Sequence, residues 1–125
     1  MVTATLVSED MAEGAKLLEE LDRAGVEVPT ALWFYFSESD AWRLILATPQ
    51  ADGKDSLKTS LRVYEIQRAA GLLPYSDVSV RGLRDHLVKR LRKKPNPKWP
   101  PRRRLLHKEW IGEEYTDAAY IYRLS

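Results

Sequence analysis

The sequence predicts one small α+β domain spanning residues 1–125, with about three helices on a mostly antiparallel sheet of about five strands and a C-terminal hairpin. Three observations predict it. The chain has 125 residues, 44% hydrophobic and 30% charged, the size and composition of an ordinary single domain able to bury a core. Leu32-Trp33-Phe34-Tyr35-Phe36 is a run of large apolar residues, which favours a strand buried on both faces. Stretches of helical period precede this run and lie between later strand candidates, so helices and strands share one chain.

Taken in order, Ser8 opens a first helix, with Glu9 and Asp10 suited to its positive end and Gly25 to its exit. Met11, Leu17, Leu18 and Leu21 form its apolar stripe, and Pro29 blocks continuation. The aromatic strand follows. Ser37 to Asp40 is turn-like, and Trp42 to Ala47 returns as a second strand with Trp42, Leu44 and Leu46 on one face, so a hairpin is expected. After Pro49 and Gly53, Asp55 or Ser56 can cap a second helix ending near Ala70, with Leu57, Leu61, Tyr64 and Ile66 expected to face inward. Ser76 to Val80 has the composition of a short third strand. A third helix is expected over Gly82 to Lys93, with Leu83, Leu87, Val88 and Leu91 on its apolar face. Pro95, Pro97, Pro100 and Pro101 exclude regular structure in the next stretch. Arg104 to Ile111 and Ala118 to Leu124 complete the terminal hairpin, tying the C-terminus into the sheet.

Several function classes fall away. The chain has no cysteine, which removes disulfides, iron–sulfur clusters, thiolate zinc sites and cysteine nucleophiles. Phosphate-cradling glycine loops are absent, and Glu113, Glu114 and Asp117 lack the spacing of a calcium or zinc site. No cofactor or metal is therefore expected. Met1–Val7 is short and uncharged, unlike a signal peptide. With no apolar run of membrane length, no membrane partner is expected, and a cytoplasmic location is.

Charge patterning is the strongest functional signal. Residues 81–108 hold twelve Lys and Arg against a single carboxylate, Asp85, although the whole chain carries only +2. Such concentration needs a counter-charge or a polyanion partner. The expected contacts are Arg81, Lys89, Arg90, Arg92 and Lys93 on the third helix or at its edge. Lys94, Lys98, Arg102, Arg103 and Arg104 extend them through the basic, proline-rich excursion over 94–104. Trp99 lies among these cations and suits stacking on an unpaired base. RNA or single-stranded DNA is the expected ligand, and the alternative is an accessory subunit docking a larger protein. Pro97 to Arg102 also fits the P-x-x-P-x-R pattern that aromatic-lined grooves bind.

Catalysis has less support. His86 and His107 are the acid–base pair a metal-independent ribonuclease would use, provided the fold brings them together. Asp52-Gly53-Lys54 resembles the acidic-x-Lys fragment of metal-dependent nucleases but lacks a second acid on an adjoining strand. No residue is assigned a catalytic role on sequence grounds.

Overall fold

The computed structural model describes Leu6, residues 8–93 and residues 104–125. Its elements, in chain order, are α1 (Ser8–Arg23), β1 (Thr30–Phe36), β2 (Ala41–Ala47), α2 (Ser56–Ala70), β3 (Val78–Arg81), α3 (His86–Arg92), β4 (Arg104–Ile111) and β5 (Glu114–Arg123). The five strands form one sheet in the order β3-β2-β1-β5-β4. β1 pairs antiparallel with β2 and with β5, and β4 pairs antiparallel with β5. β3 is parallel to β2, so the sheet is mixed and β2-α2-β3 forms a crossover unit.

β1 is the middle strand, and both of its faces are buried. Ala31 and Trp33 join a core cluster with Leu17, Leu18 and Leu21 of α1 and Val63 of α2. Leu32 and Phe34 join a second cluster on the opposite face, with Leu87, Val88 and Leu91 of α3. The domain is thus a sheet between two helical layers. That arrangement explains why the central strand shows no polar alternation.

α2 departs from its expected orientation. Leu57 and Leu61 are 71% and 52% exposed, and the residues buried are Thr59, Val63 and Gln67. Polar anchoring sets this rotation. The Thr59 hydroxyl donates to the Gln50 carbonyl at 2.6 Å, and the Gln67 amide donates to the carbonyls of Leu73 and Pro74, both at 3.1 Å. These bonds tie α2 to the loops flanking it, and satisfied polar groups can then be buried in place of leucines. Gly71 ends the helix in the left-handed region, at φ 66°.

α3 starts four residues later than expected, at His86. The Asp52 carboxylate accepts the backbone N–H groups of Leu83 and Arg84 at 3.2 and 3.1 Å, holding residues 82–84 as a turn. The Asp85 side chain then caps the helix through the N–H groups of Leu87 and Val88. Asp52 is therefore a structural acceptor.

β5 begins at Glu114, four residues before the expected Ala118, because only Gly112 and Glu113 separate it from β4. Within this hairpin, Leu106 and Ile111 lie five residues apart yet both face the α3 side. Lys108, at φ 47°, absorbs the change of alternation. On the facing strand the Thr116 hydroxyl accepts from the Ala118 N–H at 3.2 Å and donates to its carbonyl at 2.7 Å. Both strands turn over together and stay in register.

Candidate nucleic-acid interface

Three cations of the described part of the basic segment are paired within the fold. Arg81 pairs with Asp85 at 3.2 Å, Arg90 with Glu114 at 2.6 Å and Lys93 with Glu113 at 3.6 Å. Arg92 donates to the Ser125 carbonyl at 2.5 Å. The geometry behind this is the docking of the β4–β5 turn on the end of α3. Glu113 N–H donates to the Arg90 carbonyl at 2.8 Å, so the acidic turn meets both the last helical carbonyls and the helix's cations. Gly112 permits that approach, because a Cβ there would lie 2.3 Å from the Arg90 carbonyl oxygen. Arg84, Lys89 and Lys108 are exposed and make no ion pair among the described residues. Arg104 opens β4, while Lys94, Lys98, Trp99, Arg102, Arg103 and the proline pattern lie outside the described residues.

Beside α3 is a shallow depression of about 370 Å³, rimmed by Glu38, Arg81, Arg90, Glu114 and Asp117. Its mixed charge does not select a phosphate. The opposite face of the terminal hairpin is different. Trp110 and Tyr115 sit directly across from one another in the β4–β5 register and make an edge contact at 5.6 Å between ring centroids. They are 62% and 46% exposed, and Leu105 on the same strand is 47% exposed. The sequence places Trp110 on a strand and marks no role for it. Its exposure follows from the hairpin's lying beyond the cover of α1, which no local pattern encodes.

The two histidines do not share a site. His86 begins α3, on the sheet face where Leu106 is buried. His107 follows Leu106 on β4 and pairs with Ala118, so alternation turns it to the other face. The paired acid–base arrangement a metal-independent ribonuclease requires is not formed. Among the described residues no group of three His, Asp or Glu side chains is arranged to hold a metal ion, and no helix is long and apolar enough to cross a membrane.

Comparison with protein-family models, with curated proteins and with solved structures finds no match for this chain.

Proposed function

We propose that the protein binds single-stranded nucleic acid, RNA or DNA, through the basic stretch 94–104 and the outer face of the terminal hairpin. One observation carries the reading: the exposed Trp110–Tyr115 pair lies on the hairpin whose first strand begins where the basic stretch ends. From Lys94 to Lys108 the sequence has six Lys and Arg and no carboxylate. The carboxylates nearest α3 are already engaged by Arg81, Arg90 and Lys93. The excursion is thus the part of the segment with the greatest excess of positive charge in the sequence. Cations and open aromatic rings are the two components of sequence-tolerant single-strand binding, one for the phosphates and one for the bases.

The test is a fluorescence-anisotropy titration with a labelled single-stranded oligonucleotide at low salt, with wild-type protein and Trp110→Ala. Trp110 is 62% exposed, so the variant keeps its fold, and it loses roughly 1–3 kcal/mol of binding if the indole stacks on a base. No binding at tens of micromolar protein, or equal binding by the variant, contradicts the reading.

A further inference from the structure

The other edge of the sheet carries a separate surface. Among the described residues β3 is its last strand and pairs only with β2. Thr48 N–H donates to the Arg81 carbonyl at 2.9 Å, which directs the main-chain groups of Arg81, and by alternation those of Ser79, toward β2. The N–H and C=O groups of Val78 and Val80 point outward. Above this edge lies a groove of about 530 Å³ lined by Leu57, Ser60, Leu61, Tyr64, Val78 and Val80, together with Val63 and Gln67. None of these side chains carries a charge at neutral pH. Leu57, Leu61 and Tyr64 stand at i, i+4 and i+7, one stripe of α2, and the two leucines are the exposed ones. An apolar stripe beside an open strand edge is the combination natural sheets ordinarily cover or interrupt. On β4, the opposite edge, Lys108 at φ 47° interrupts the strand. β3 has no such residue.

We infer that a second copy of this chain occupies the groove, with β3 pairing antiparallel to β3 of the partner about a two-fold axis at Ser79. The register is self-complementary. Val78 faces Val80 of the partner subunit, and both are outward-facing residues able to exchange two main-chain hydrogen bonds. Ser79 meets its own copy. Arg81 falls at the register position opposite the partner's Asp77, the last residue of the 3-10 turn that leads into β3, so each copy brings one cation and one anion to the two ends of the joined strands, as an isologous interface requires. Arg81 already bonds Asp85 and the Ser79 hydroxyl, and its guanidinium has further N–H donors for a second carboxylate. On the α2 side of the sheet, Leu57, Leu61 and Tyr64 of both copies converge over the joined strands. There they exclude water from the new ladder. The result is a continuous ten-stranded sheet.

The experiment is sedimentation velocity on the full chain from about 1 to about 100 µM, the range of a moderate dissociation constant. The wild type is expected to shift from 14.4 kDa to twice that mass. Leu61→Glu places a carboxylate at an exposed position and stays monomeric with an unchanged circular dichroism spectrum. Arg81→Asp and Asp77→Arg each bring like charges together and weaken self-association at least about tenfold, whereas their equimolar mixture restores a dimer in which both pairs are again opposite in sign. A wild type that remains at 14.4 kDa throughout overturns the proposal. Dimerisation undiminished by Leu61→Glu overturns it as well, as does a mixture that associates no better than either variant alone. If a charge variant fails to fold, Leu61→Glu still decides.

Discussion

The Trp33 indole N–H donates to the Tyr122 hydroxyl at 3.0 Å, and that hydroxyl donates to the Met11 carbonyl at 2.6 Å. This chain of bonds joins the central strand, the last strand and α1 inside the core. Gly14 makes room for it, since a Cβ there would lie 2.3 Å from the Tyr122 oxygen. Tyr122→Phe strands a buried indole N–H and is expected to cost about 1–3 kcal/mol in urea denaturation. Trp33→Phe made in that background removes the stranded donor. The two effects should then be strongly non-additive in a double-mutant cycle. Simple additivity would mean that the bond contributes nothing.

Phe34 is 5% exposed and packs in the second core cluster, its ring 4.9 Å from that of Phe36. Phe34→Ala is expected to cost about 3–5 kcal/mol, transfer and cavity terms together. A loss below about 1 kcal/mol, measured by thermal or urea unfolding, would contradict the burial of β1 on both faces.

Gly112 stands at φ 61°, with the carbonyl oxygens of Arg90, Lys93 and Leu91 2.3, 2.5 and 2.7 Å from where a Cβ would be. Gly112→Ala is therefore disfavoured by backbone conformation and by contact at once. It is expected to destabilise by more than about 1 kcal/mol. Hydrogen exchange should show faster exchange at Glu113, whose N–H bonds the Arg90 carbonyl.

Arg123 grips the Asp22 carboxylate through both terminal nitrogens, at 3.0 and 2.5 Å. Hydrogen bonding from Arg123 is the main cause that lowers the Asp22 pKa below its ordinary value. A carboxyl depressed in the folded state contributes stability that is complete above its unfolded pKa, near about 3.9. That stability is lost as the pH falls through the folded value. The pair is half-exposed, so Asp22→Asn should cost only about 0.5–1 kcal/mol at pH 7. The difference from wild type should vanish at acid pH. Asp10 and Asp77 act with opposite sign, because burial first of all raises both carboxyls. They oppose folding at neutral pH and relax as they protonate. An Asp22→Asn penalty constant from neutral to acid pH would show that the charge is not its origin.

The doubly buried β1, the β1–β2 hairpin, α1 and the terminal hairpin were all legible because each rests on a dense local signal. Aromatic runs, turn residues and a leucine stripe suffice for that. The orientation of α2 was not legible. Its leucines point out because Thr59 and Gln67 find carbonyl partners in loops up to nine residues away, and hydropathy cannot register such partners. The start of α3 was hidden for a similar reason, since Asp52 holds Leu83 and Arg84 from more than thirty residues away. The parallel pairing of β3 is a matter of topology. For the candidate site, the concentration of positive charge was visible in the sequence. Its internal pairing was not, because Glu113 and Glu114 reach α3 only once the hairpin folds back. Trp110 looked like any strand tryptophan until the sheet order left it uncovered.

The central claim is that the basic stretch leading into β4 binds the phosphates of a single strand, and the salt dependence of oligonucleotide binding tests it most directly. With about five cations on phosphates, log Kd plotted against log salt should rise with a slope near 3.5, from roughly 0.7 per phosphate. Replacing Arg102, Arg103 and Arg104 together by Ala should reduce that slope by about 2 on any base sequence, while Trp110→Ala weakens binding and leaves it nearly unchanged. A wild-type slope near zero, or a triple variant with the wild-type slope, would contradict the account.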